Sequence, residues 1–130
     1  MKLFLPRVRQ GEKTRVVHLL EGYENTFPTV SLRLKIRALR GMVYRYEVFN
    51  RRVRGKAEFV LSVEDLDDDV MSDFMEYICS ERTYYNMYPD VYISVGYVLG
   101  CRKLHCYEIV NIRNRLRHFV SWWEDGISAS

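Results

Sequence analysis

The strongest constraint on the fold of this chain is the helical spacing of apolar residues between positions 29 and 53. An apolar residue recurs there every three or four positions, which places one continuous stripe along one side of a helix. The stripe consists of Leu32, Ile36, Leu39, Val43 and Tyr46, and it is widened by Met42, Phe49 and Val53. Since 48% of the chain is hydrophobic, this side can be buried against other segments, and a helical domain is expected.

Two further segments before position 82 show the same spacing. A first short helix is expected from about residue 14 to a stop near Gly22. A third helix is expected to begin after Asp65 or Asp67, because either carboxylate can cap it and the neighbouring acids suit the positive end of its dipole. The residues predicted to point inward from these two helices are Val16, Leu19, Leu20, Tyr23, Val70, Phe74, Tyr77 and Ile78.

The last helix is predicted over about residues 106–125, with Gly126 as its stop. Trp122 lies off its apolar side and is expected to be exposed. That apolar side consists of Ile109, Ile112, Leu116, Phe119, Val120 and Trp123. For residues 82–105, which are rich in tyrosine, a hairpin, a short helix and an ordered loop stay open. The sum is an all-α, compact four-helix bundle with a short N-terminal tail and an irregular insertion before the last helix.

Charge is unevenly distributed, although the net charge is only +3. Lys and Arg dominate residues 28–55, where Glu47 is the one acid, and residues 102–118, where Glu108 is the one acid. Residues 61–81 carry acids and neither Lys nor Arg. This segregation indicates that a polyanion binds to one side of the molecule.

Two helix faces carry the candidate contacts to such a polyanion. The second helix has a cationic ridge opposite its apolar stripe, formed by Arg33, Arg37, Arg40, Tyr44 and Arg51. The last helix has a polar face formed by Asn111, Asn114, Arg117 and His118, with Arg113 and Arg115 at its margins. Arg and Asn pair with base edges, and Arg also binds phosphates, so we expect both faces to converge on one DNA-binding surface. The alternative is that the ridge pairs with the acidic third helix.

Other chemistry finds little support in the sequence. No short motif declares a catalytic triad, no glycine-rich phosphate loop is present, and neither a cofactor nor enzymatic activity is expected. Cys101, His105 and Cys106 lack an evident fourth ligand, so no metal site is predicted. The chain has three cysteines, an odd number that favours a reducing, cytoplasmic setting. No apolar run is long enough to span a membrane.

Three segments resemble those of a known family. "SVEDLDDDVMSDFMEYICSE" resembles the segment of phage-type integrases in which an "xxDLxxxxxxxFxxYL" pattern opens the third helix of the core-binding domain. "EIVNIRNRLRHFVSWWEDGI" resembles the closing helix of that domain, and "RLKIRALRGMV" occupies the place of its second helix. The "MYPDVYISV" insertion looks like one found in integrases of mobile elements in Bacteroides-type bacteria.

The resemblance implies a SAM-like core-binding domain of a tyrosine recombinase that acts in DNA integration. Such a domain forms half of a clamp on the recombination site, and Arg37, Arg40, Asn114 and Arg117 would fall on its contacting surfaces. Its partners would be double-stranded DNA, the C-terminal catalytic domain of the parent protein and other recombinase subunits. None of the three histidines begins the H-x-x-R element of that catalytic domain. The expected organisation is a tail (1–13), the core-binding domain (14–127) and the start of a linker (128–130).

One rival hypothesis remains, and a second lacks its sequence signal. A helical protein-interaction module without nucleic-acid binding would use the Tyr-rich segment 83–97 and an exposed Trp122 as its docking patch. A small helix-turn-helix repressor would need two short consecutive helices with a tight turn, and that spacing is absent.

Overall fold

The structure is a computed structural model and describes residues 13–94, 104 and 106–128. The regular structure of these residues consists of helices. Five α-helices lie there, α1 (Val16–Glu24), α2 (Val30–Arg52), α3 (Asp68–Met87), α4 (Pro89–Ser94) and α5 (Cys106–Ser128), with a 3-10 turn at Val63–Asp65. The all-α prediction is confirmed, with one helix more than expected. The predicted tail, apart from Lys13, and most of residues 95–105 lie outside these ranges.

α2 is the central helix, and it begins where the sequence predicts. The hydroxyl of Thr29 accepts a hydrogen bond from the backbone N–H of Leu32 at 3.3 Å and so caps the helix. The apolar stripe is buried at Ile36, Leu39, Val43, Tyr46 and Phe49. Leu32 is an exception with 37% exposure, because it borders a groove between α2 and α5 instead of the core.

α1 and α5 bury the predicted residues but run past their predicted ends. Val16, Leu19, Leu20 and Tyr23 of α1 are buried, and the helix continues through Gly22 to Glu24. In α5, Ile112, Leu116 and Phe119 are buried, while Ile109, Val120 and Trp123 are half-buried. The prediction that Gly126 stops α5 is wrong, since Gly126 is buried within a helix that reaches Ser128. Glycine inside a helix costs only about 1 kcal/mol relative to alanine, so its position alone marks no boundary.

The expectation of an exposed Trp122 is also wrong. Its ring is half-buried and lies 5.1 Å from the ring of Tyr23 and 6.0 Å from that of Phe119. The contact with Tyr23 joins the C-terminal half of α5 to α1. The docking patch predicted around Trp122 therefore lacks its largest apolar member.

α3 and α4 complete the core with aromatic residues. Asp67 caps α3, accepting from the backbone N–H of Val70 at 2.8 Å. The ring of Tyr46 on α2 meets the rings of Phe74 and Tyr77 on α3 edge-on, at 5.3 and 5.4 Å. These T-shaped contacts add specificity to the burial of large apolar surfaces.

The Tyr-rich segment is largely helical where it is described. α3 extends to Met87, and Pro89 opens α4, a position at which its missing N–H costs nothing. Tyr92 on α4 is buried, and its hydroxyl lies 2.9 Å from that of Tyr77. Burial raises the pKa of Tyr92 to about 12. A short helix is thus the confirmed alternative for residues 89–94.

A carboxylate on α3 makes part of the free energy of unfolding depend on pH in the acid range. Asp73 accepts hydrogen bonds from the Tyr46 hydroxyl at 2.5 Å and from Arg54 Nη1 at 2.6 Å. Burial alone would raise the pKa of Asp73, but the hydrogen bonds from Arg54 and Tyr46 outweigh it and hold this pKa below the ordinary 3.8. The contribution of Asp73 to the free energy of unfolding is therefore complete above about pH 3.8. It is lost as the pH falls through the pKa of Asp73 in the folded state.

We expect Asp73→Asn to lower the free energy of unfolding at neutral pH and to flatten its decline in acid, because the variant has no carboxyl to protonate. Urea denaturation at a series of pH values measures both effects. Parent and variant curves that decline in parallel below about pH 4 would contradict the role given to Asp73.

Candidate nucleic-acid interface

The cationic ridge of α2 lies against α1, whose glutamates take up two of its arginines. Arg37 Nη2 is 2.6 Å from Glu24 Oε2, and Arg40 Nη1 is 3.4 Å from Glu21 Oε1. The hydrogen bond from Arg37, helped by the charges of Arg40 and Arg33, lowers the pKa of Glu24 despite the opposing effect of burial. The ridge is therefore partly neutralised. The acids that pair with the ridge lie on α1. The alternative predicted from the sequence was pairing with the acidic third helix.

Two other ridge residues, Arg33 and Arg51, donate hydrogen bonds to backbone carbonyl groups. Arg33 Nε donates to the carbonyl oxygen of Phe27 at 2.7 Å, and Arg51 Nη1 donates to that of Phe59 at 2.8 Å. Tyr44 is 41% exposed. Beyond the ridge, Arg45 binds Glu81 through two hydrogen bonds of 2.7 and 3.0 Å. Most of the positive charge of α2 thus serves to hold α2 to its neighbours.

The polar face of α5 borders a groove between α2 and α5, which we call the α2/α5 groove. Asn111, Asn114 and His118 line it, and all three are exposed. They share the groove with Arg115 of α5 and Lys35 of α2. Their spacing of three, four and seven positions puts them on one side of the helix, as predicted. The floor is apolar and is formed by Tyr23, Phe27, Leu32, Ile36, Leu39, Met42 and Ile112.

Arg115 is the groove residue whose role the sequence understates. Its side chain is half-buried, and burial lowers its pKa, with a small opposing effect from Tyr23. Within residues 13–94 and 106–128 it forms neither an ion pair nor a hydrogen bond. Its position four residues after Asn111 was the available signal, because that spacing places both on the same side of α5.

Arg113 and Arg117 are two exposed arginines of α5 outside the α2/α5 groove. Both are exposed, and neither has an acidic or hydrogen-bonding partner among the described residues. They lie one turn apart. Arg117 points away from the buried Ile112, Leu116 and Phe119, whereas Arg113 borders a groove between α5 and α3 that Glu76 and Cys79 also line. We call Arg113, Asn114, Arg117 and His118 the outer strip of α5.

The ridge of α2 and the polar face of α5 do not form one surface. Lys35 and Met42 line the α2/α5 groove, and they lie about half a turn around α2 from Arg33 and Arg37. The ridge faces α1 on the other side of the helix. Of the residues predicted to bind DNA, the structure therefore brings together Asn111, Asn114 and His118, with Arg117 beside them on the outer strip.

Neither a metal-binding cluster nor a membrane-spanning helix is present in the described part of the chain. No group of three His, Cys, Asp or Glu side chains is placed to hold a metal ion there, and Cys101 and His105 lie outside it. None of its helices combines the length and the apolar character that crossing a membrane requires.

No protein-family model matches the chain, no curated protein matches its sequence, and no solved structure matches its fold. The resemblance to a recombinase core-binding domain therefore stays a prediction. The surface chemistry of α2 and α5 carries the functional conclusion.

Proposed function

We propose that this chain binds duplex DNA through the outer strip of α5, as the core-binding domain of a site-specific tyrosine recombinase. One observation carries the proposal: Arg113 and Arg117 are exposed and unpaired among the described residues, whereas the arginines of α2 bind groups of the protein itself. An arginine without an internal partner can bind a phosphate at no cost in broken ion pairs.

Phosphate contacts would supply most of the affinity. Each arginine that binds a phosphate releases condensed counterions, which favours binding of any duplex sequence. Asn114 and Arg117 have the side chains that pair with adenine and guanine edges in the major groove. Their position on the exposed side of a long, regular helix suits that groove. The outer strip therefore offers positioning contacts and two candidates for reading sequence.

The resemblance of three segments to phage-type integrases favours a recombination site as the target. On that proposal strand cleavage belongs to a separate catalytic domain of the parent protein, since no histidine here begins an H-x-x-R element. Other recombinase subunits would share the site, and the protein would act on nucleoid DNA in a bacterial cytoplasm.

Titration of a labelled duplex of mixed sequence tests the proposal. Two phosphate contacts predict that the logarithm of the association constant falls against the logarithm of salt concentration with a slope of about −2 or steeper between about 50 and 200 mM. Polyglutamate serves as a control for attraction to any polyanion. Absence of binding at the lower salt, or affinity that salt does not change, would overturn the proposal.

A further inference from the structure

We propose that the α2/α5 groove docks an acidic, amphipathic helix of a partner protein, separately from the DNA that the outer strip is proposed to bind. The groove differs from the outer strip in its apolar floor and in a half-buried arginine. The apolar floor does not suit a nucleic-acid backbone, which presents phosphates and has little apolar surface to bury.

The floor of the groove favours an apolar partner surface. Leu32 at 37% exposure opens onto it from the first turn of α2, and Met42 borders its other end. The eleven positions from Leu32 to Met42 correspond to about 15 Å along the helix, or three turns. A partner helix of similar length would place apolar residues at spacings of three, four and seven on this floor, which is the pattern of helix-in-groove recognition.

The charges of the groove favour an acidic partner. Arg115 and Lys35 are basic groups on opposite walls, and neither has an ion-pair partner among the described residues. Burial already disfavours the charged form of Arg115, so a carboxylate placed beside it would offset a cost that the free protein carries. Glu108 borders the Tyr107 end of the groove.

The rim adds a group that can fix the register of the helix. Asn111 is an exposed amide on the α5 wall outside the outer strip, and it can donate and accept hydrogen bonds with polar side chains of a docked helix. The complete site therefore has an apolar floor, two cations and a polar rim, which is the composition of a protein-docking groove.

Selection from a displayed library of random helical peptides, with the full chain as target, tests the proposal. We expect the enriched peptides to carry Leu, Ile or Phe at spacings of three, four and seven together with Asp or Glu. An enriched peptide should shift the NMR signals of Ile36, Met42 and Ile112. Failure to enrich any peptide, or enrichment of basic peptides, would overturn the proposal.

Three variants locate the binding. Arg115→Met keeps most of the side chain and removes its charge. It should lower the affinity for the selected peptide about tenfold, as expected for loss of a charge-assisted hydrogen bond. Ala38→Trp fills the groove from an exposed position, so it should abolish peptide binding without unfolding the chain. Arg117→Met changes the same charge on the outer strip and should leave peptide affinity unchanged.

The same variants separate this proposal from DNA binding. Duplex DNA could displace the peptide, and Arg115→Met could weaken duplex binding as much as peptide binding. In that case the groove belongs to the DNA interface and a separate partner is excluded. If the chain self-associates and Ala38→Trp abolishes this, the occupant is a second copy. DNA binding that fails while peptide binding persists would overturn only the proposed function.

Discussion

Replacement of Glu47 by alanine is expected to lower the free energy of unfolding by about 3–5 kcal/mol, the usual cost of removing one member of a buried ion pair. Glu47 is fully buried in the C-terminal half of α2. It binds the Arg15 guanidinium through Nη2 and Nε, the latter at 3.0 Å, and it accepts from the backbone N–H of Leu61 at 2.8 Å. One carboxylate thus fastens the start of α1 and the segment before α3 to the central helix.

The loss would be large because two donors are left without their acceptor. Arg15 is only 27% exposed in its side chain, and its pKa is raised chiefly by the hydrogen bond to Glu47. The N–H of Leu61 is buried, and no second acceptor for it is evident. Chemical denaturation measures the change, with Glu58→Ala as the control because Glu58 is exposed and lacks a hydrogen bond among the described residues. Equal stabilities of the two variants would contradict the role of Glu47.

Replacement of both Arg113 and Arg117 by alanine is expected to weaken duplex binding about tenfold or more at moderate salt and to reduce the salt slope by about two. Stability should change little, because both side chains are exposed and unpaired among the described residues. Fluorescence anisotropy at several salt concentrations measures the slope, and thermal unfolding confirms that the variant is folded.

A matched control removes the same charge from α2. The double change of Arg37 and Arg40 to alanine lowers the net charge by the same amount, but it breaks the pairs with Glu24 and Glu21. We expect a smaller loss of affinity, because these arginines already bind carboxylates. A loss equal to or greater than that of the α5 pair would place the interface on the ridge of α2, as the sequence first indicated.

The interior of the helices was largely predictable, because periodicity is a local property of the sequence. Phe74, Tyr77 and Leu116 are buried as their spacing predicts, and Thr29 and Asp67 cap the helices that follow them. Boundaries that depend on a single glycine were less predictable, since the neighbours of Gly126 decide whether the helix continues.

The sequence by itself determined the all-α class, the inward side of each long helix and the polar side of α5, because those follow from spacing along one segment. Only the tertiary structure decided which arginines have partners. α1 lies along the ridge of α2 and brings Glu21 and Glu24 to it, while no described acid forms an ion pair with Arg113, Arg115 or Arg117. Ion pairing joins residues far apart in the chain, so it follows from helix packing and cannot be inferred from the charge pattern of one helix.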